Sequence, residues 1–268
     1  MTYEYGQPPI AAYLGEHKLF SGSDASQEDS WQPSEPEESA TLWRYMSFPK
    51  FCSLLDHKAL FFALVGNMAD SYEGFIYPPE PRERTDPLKE PEEVAHQFLQ
   101  RWTRSALVCC WTEAEHESSL MWEAYAGAEG VAIRTTFQDL RKAIFSVGEP
   151  PITFGRVDYV DYAGEQVPRL GWAPLFHKRV EYRAEDEIRA VLPGPRLDPS
   201  DTGRLGEPPD IPLDPDVERN KGRYVPVDIA TLVRDVVLPP RAAPWFARVV
   251  ESVIQNSPAD PRVTPSVI

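Results

Sequence analysis

VCCWTEAEHESSLMWEAYAGAEGVAIRTT, the stretch from Val108 to Thr136, decides the fold of this chain. The apolar run ending in Cys109, Cys110 and Trp111 reads as a buried strand. Ser118 or Ser119 then caps the short helix LMWEAYAG, and Gly130-Val131 opens a second apolar strand. Neither GxGxxG nor GxxxxGK followed by Ser or Thr occurs anywhere, which argues against the standard dinucleotide and P-loop folds.

Working towards the N-terminus, Leu42 to Met46 reads as a strand, with Ser47 as helix cap. Phe48, Phe51, Cys52 and Leu55 then form one apolar helical stripe, and Ala59 to Val65 is a buried strand. GNMADSYEG is a turn, YPPEPRERTDPLKEP a proline-rich loop, and Pro91 opens a helix to about Ser105 that stacks Val94, Phe98 and Trp102. Working the other way, Thr136 and Asp139 form a variant capping box for a helix through Ile144. ITFGRVDYVDY and EDEIRAVL read as strands, with a helical segment around APLFHKRVEY between them. RYVPVDI and LVRDVVLPP are further strands, and Pro244 starts a last helix using Trp245, Val249, Val253 and Ile254.

Helices and strands mix without a βαβα rhythm. This predicts an α+β fold, a single domain with a mixed, mostly antiparallel sheet flanked by helices. Residues 1–40 read as a disordered acidic arm, 41–192 as the main body, 193–222 as a Pro/Gly-rich loop insert, and 223–268 as strands and a helix completing the same domain.

A net charge of −15 argues against direct, broad nucleic-acid binding, which needs Lys and Arg to displace counterions. Three cysteines, two of them adjacent, give no disulfide framework and suit a reducing, cytoplasmic setting. No basic-plus-apolar leader opens the sequence and no apolar run reaches about 18 residues, so no membrane association is expected.

Three constellations could carry chemistry. On a strand, Glu185, Glu187 and Arg189 share one face, either lining a cleft or making a solvated salt-bridge ladder. Asp70 and Glu73 share a tight turn that could hold a hydroxyl or cation, or simply bond its own backbone. Trp111, Trp122 and Tyr125 could stack on a flat ring, although Trp122 and Tyr125 at helical spacing also suit a core. Adjacent cysteines point to opposite faces of a strand and do not make a zinc site, so no metal ligands are assigned. A structural, buried role is expected for Cys109 and Cys110, with no histidine assigned to activate either as a nucleophile.

Taken together, Arg44-Tyr45, Asp70-Ser71-Tyr72-Glu73-Gly74, Cys110-Trp111, Met121 to Ala126, Gly130-Val131, Glu185 to Arg189 and VDIATLVRDVVLPP resemble domain-of-unknown-function family 2971. The resemblance covers about residues 41–260, with Ser71 where the family pattern has Pro, and it implies a fold without a settled activity. A second resemblance is mechanistic. NAD-dependent ADP-ribosyltransferases place a basic residue on an early strand, a Ser or Tyr motif mid-chain and a Glu on a late strand, an order that Arg44, Tyr125 and Glu187 follow.

That likeness implies an NAD- or nucleotide-using transferase or glycohydrolase. Glu187 would be the catalytic carboxylate beside Glu185, and Arg44 the anion clamp. Asp70, Glu73, Trp122, Tyr125 and Arg189 would line the substrate pocket, with NAD as substrate and no other cofactor assigned. Two alternatives stand beside it: a non-catalytic protein-interaction module with a protein partner, and a metal-dependent nuclease using Asp70, Glu73 and Glu187. The enzyme reading expects Glu187→Gln to abolish nicotinamide release with little change in melting temperature. All of it requires Arg44 and the Glu185–Arg189 strand to face one cleft.

Overall fold

The computed structural model describes residues 31–76, 89–145, 152–165, 167–168, 171–194, 211 and 213–268. Expectations for the arm before residue 31, the 77–88 loop and residues 195–210 of the insert lie outside the described residues. The strands are β1 (Thr41–Ser47), β2 (Ala59–Leu64), β3 (Leu107–Glu113), β4 (Gly130–Thr136), β5 (Thr153–Arg156), β6 (Asp158–Val160), β7 (His177–Arg179), β8 (Glu187–Leu192), β9 (Gly222–Pro226), β10 (Asp235–Leu238) and β11 (Arg262–Pro265). Four longer helices accompany them: α1 (Phe48–His57), α2 (Lys89–Arg104), α3 (Phe137–Phe145) and α4 (Pro244–Gln255).

Nine strands make one branched sheet in the order β11-β10-β4-β1-β3-β2-β9, with β8 on β3 and β5 on β8. All its pairings are antiparallel except β10 with β11, and β6 and β7 form a separate parallel ribbon. The fold is α+β.

Strand alternation divides the sheet into two faces. Leu42 and Met46 of β1, Leu107, Cys109 and Trp111 of β3, Ile133 of β4 and Ile188, Ala190 and Leu192 of β8 enter the main core. Phe51, Leu54 and Leu55 of α1, Leu140 and Ile144 of α3, and Phe246, Val250 and Ile254 of α4 belong to the same core. The other face carries two smaller clusters, one around Trp43, Tyr45 and Trp122 and one around Val108, Phe176 and Val191.

The sheet forks at β3. One edge of β3 pairs with β8 from Leu107 to Thr112, whereas its other edge meets β2 only at Leu107 and Val108 and β1 only at Thr112 and Glu113. Between those contacts the guanidinium of Arg44 fills the split. It donates to the carbonyls of Cys110 and Phe61, each at 3.4 Å, touches the Cys109 sulfur, and lies 5.5 Å from the Trp111 ring centroid. A side chain thus supplies donors to carbonyls that no neighbouring strand reaches.

Several local readings change. Ser47 stands at the α1 N-cap but its hydroxyl makes no capping bond; Phe48 N–H donates instead to the Glu129 carbonyl at 3.2 Å. Thr136 does cap α3, accepting from Asp139 N–H at 3.1 Å, while the Asp139 carboxylate turns to Arg234. APLFHKRVEY is not one helix: after Ala173–Phe176 it becomes β7 and then a 3-10 segment, Val180–Glu185. Within the expected 193–222 loop, Pro215–Asn220 is helical, capped by Asp214, and β9 starts at Gly222. Residues 31–40, assigned to the arm, lie against the body. The Trp31 ring is 4.9 Å from that of His177, Arg156 N–H donates to the Ser34 carbonyl, and a side chain on Gly155 would collide with Pro33.

Helix α4 buries Ile254 of its expected stripe but at its N-terminal half packs one position along. Phe246, Val250 and Ile254 are buried, whereas Trp245 is 51% exposed and Val249 40%. Two apolar stripes run side by side on this helix, and contact of Phe246 with the Phe48 ring at 5.3 Å goes with burial of the second. Phe246→Ala is therefore expected to cost about 3–5 kcal/mol in urea unfolding, and Trp245→Ala less than about 1 kcal/mol.

Candidate functional site

Register fixes which side chains can meet. Cys110 pairs with Arg189, Thr112 with Glu187 and Val108 with Val191, so Glu187 and Arg189 project from the face opposite the main core. Arg44 pairs with Ile133 and projects with it into the other face. The single cleft required of Arg44 and the Glu185–Arg189 strand does not form. The sheet itself separates them.

What β8 does assemble is a buried cluster of charge. Arg189, with no exposed side-chain surface, donates from Nε to Glu187 Oε1 at 2.8 Å and from Nη2 to Glu187 Oε2 at 3.1 Å. Its Nη1 donates to the Leu175 carbonyl at 2.7 Å, and Nη2 also donates to Glu73 Oε1 at 3.0 Å. Lys178 of β7 sits among three carboxylates: Glu185 at 2.6 Å, Glu187 at 3.1 Å and Glu73 at 3.4 Å. Its ammonium also lies 4.6 Å from the Tyr182 ring centroid. Tyr159 accepts the Glu187 N–H at 2.9 Å, and the half-exposed Tyr125 donates to Glu185 Oε1 at 2.7 Å.

Local conformation delivers these groups. Glu185 is not on the strand; it ends the 3-10 segment, and Asp186 then turns the chain with a φ of 40° before β8 begins. That turn brings Glu185 to Lys178, whereas Glu187 is placed by its position on β8. Glu73 is held from α2, where Gln100 donates to the Gly74 carbonyl at 2.7 Å and accepts from Ile76 N–H at 3.0 Å. Tyr125 rides on a π-helical turn, Trp122–Ala126, a local widening that is rare and often found at functional sites.

Electrostatics keep Glu187, Lys178 and Arg189 ionised. Burial alone would raise the Glu187 carboxyl, but Arg189 and Lys178 outweigh it and hold the group down at about 2. Burial works against the charge on Lys178 and Arg189 as well, yet the adjacent carboxylates hold both above their ordinary values. Burial, together with the charge of Glu187, pushes the Cys110 thiol well up, so it remains protonated and is a poor nucleophile at neutral pH. The Tyr125 phenol is pushed up by burial and by its bond to Glu185, which keeps it a donor.

Of the residues singled out from sequence, Glu73, Glu185, Glu187 and Arg189 come together, and Tyr125 joins them through Glu185. Asp70 stands at the edge, holding Arg179 at 3.0 Å while Arg179 lies over Tyr72 and Tyr182. Trp122 contacts none of them by hydrogen bond; it packs against Tyr45 and donates to Glu117 at 2.9 Å. Lys178, Arg179, Tyr159 and Tyr182 were not anticipated. Lys178 and Arg179 lie in a three-residue strand that the helical reading of APLFHKRVEY concealed.

The nuclease arrangement does not assemble either, since a lysine ammonium already sits among the carboxylates of Glu73 and Glu187, and Asp70 is paired with Arg179. No family model matches the chain, and no curated protein or solved structure matches it.

Burial also changes the expectation for Glu187→Gln. This variant removes the acid bonded to both Arg189 and Lys178 and leaves them to Glu73 and Glu185, whereas Lys178→Met leaves the carboxylates of Glu73, Glu185 and Glu187 to Arg189. Each variant is expected to lose about 3–5 kcal/mol in chemical denaturation. Because the folded-state value of Glu187 lies below that of an ordinary carboxyl, its contribution is complete above about 4.5 and is lost as pH falls towards 2. Stability measured across that window should fall steeply for the parent and much less for Glu187→Gln.

Proposed function

We propose that this chain is an α+β pocket protein of domain-of-unknown-function family 2971 that uses NAD or a related nucleotide as a transferase or glycohydrolase. Glu185, in place of Glu187, is the reacting carboxylate. One observation supports this above all. Glu185 keeps 13% of its side chain exposed, is charge-paired with the buried Lys178, and is met from outside by the phenol of Tyr125. Glu187, with 4% of its side chain exposed and held by two cations against the one on Glu185, serves as the support.

Charge balance favours cleavage of a glycosidic bond. Among the described residues, Glu73, Glu185 and Glu187 pair with Lys178 and Arg189, three acids against two cations. A preorganised negative charge stabilises the oxocarbenium-like state that develops as a ribose loses its leaving group. Tyr125, half-exposed, offers a ring face for a base, whereas Tyr72 and Tyr182 already carry Arg179. Arg179, 34% exposed, is a cation at this edge that a phosphate would share with Asp70, and it takes over the clamp role expected of Arg44.

A second reading rests on α4. Trp245 and Val249 are exposed one turn apart, as in a helix face that meets a protein partner.

Nicotinamide release from NAD tests the first reading. Glu185→Gln should lower kcat at least about a hundred-fold, the scale of losing one preorganised electrostatic contact. Its unfolding midpoint should move much less than that of Glu187→Gln. A parent protein that neither binds NAD nor releases nicotinamide would remove the enzymatic reading. Capture of a protein partner that is lost in Trp245→Ala would then support the interaction module.

A further inference from the structure

We infer that the segment 262–268 is a latch that positions Tyr125 over Glu185, with Glu117 as the coupling residue. The inference rests on the Tyr125–Glu185 mouth proposed above and adds how that mouth is held closed.

The edge strand β11 adds in parallel to β10, its backbone bonded as far as Ser266 N–H on the Leu238 carbonyl at 3.1 Å, and Val263 packs against the core. Two sets of side-chain ties add to that ladder. Arg262 donates to Asp235 Oδ1 at 2.7 Å. Beyond the strand, Ser266 Oγ donates to Glu117 Oε2 at 2.6 Å and Val267 N–H donates to Glu117 Oε1 at 2.9 Å.

The same Glu117 Oε2 accepts the indole N–H of Trp122 at 2.9 Å. Trp122 begins the π-helical turn that carries Tyr125, and its ring stands edge-on to Tyr45 at 5.2 Å. Tyr45 in turn accepts the Ser118 N–H at 2.9 Å, and Ser118 Oγ accepts Met121 N–H at 3.3 Å. One carboxylate therefore joins the 262–268 segment to the turn whose far end donates to Glu185. With the segment docked, Glu117 is fixed and the indole anchors the turn. With it released, Glu117 loses two of its three donors and keeps the indole alone, so the residue that anchors the buried Trp122 is itself no longer fixed. Glu117 acts through Trp122 and touches no substrate, so it is a positioning residue.

Hydrogen exchange on the full chain tests the coupling. In Ser266→Ala, and more so in Glu117→Ala, amides of residues 122–126 should exchange at least ten-fold faster while those of β4 and β8 keep their rates. Glu117→Gln, whose amide oxygen can still accept from the indole, should fall between parent and Glu117→Ala. Unchanged rates at 122–126 in both alanine variants would overturn the latch. So would equal loss of protection across β4 and β8, because the contacts would then hold the whole fold and not one turn. A protein that shows the exchange response but releases no nicotinamide loses the enzymatic reading and keeps the latch. If it does turn over NAD, Ser266→Ala should raise KM several-fold and leave kcat within two-fold of the parent; an unchanged KM would sink the positioning role.

Discussion

A lysine ammonium ringed by three carboxylates, with an arginine bonded to two of the same acids, is the constraint on which the rest of this structure turns. Removing each ion from water costs several kcal/mol, and only close pairing with well-directed hydrogen bonds offsets it. The demand for partners spreads through the fold. It requires β7 beside β8 in space, the sharp turn at Asp186, a carbonyl from Leu175 for Nη1, and the 73–76 segment pinned by Gln100. Such a cluster is weak evidence for stability and better evidence for specificity, because few other packings of these segments would satisfy all the charges.

The elements with a clean hydrophobic period were legible. β1, α1, β3, β4 and α3 follow from local spacing, and the mostly antiparallel sheet follows from the absence of crossover rhythm. Sequence also brought Glu185, Glu187 and Arg189 together, though for a partly mistaken reason. Alternation does put Glu187 and Arg189 on one face, but Glu185 arrives from a 3-10 segment. What periodicity could not supply was the third dimension. Lys178 lies in a three-residue strand, too short to carry a period, and its role depends on partners from three other segments.

Arg44 shows the same limit from the other side. An arginine on an early strand reads as an anion clamp when only residue order is known. Its place on the core face of a forked sheet makes it a stand-in for missing strand neighbours, bonded to carbonyls of β2 and β3. Which face a strand residue takes follows from register, and register is a property of pairs. No reading of β1 alone could have settled it.

The spacing of the cluster along the chain bears on how the molecule comes apart. Glu73 and Arg189 are 116 positions apart, whereas β10, α4 and β11 are contiguous and their contacts can form without closing a long loop. Distant charges stay hydrated until the chain between them is organised, so their pairing belongs to the late side of the folding barrier. Contacts made there act on the rate of opening and leave the rate of collapse almost untouched. Within the cluster that distance belongs to Glu73 alone, since Lys178 lies 7 and 9 positions from Glu185 and Glu187, and Arg189 two from Glu187. It is therefore the docking of Glu73 that is expected to lengthen the life of the native state more than it speeds its formation.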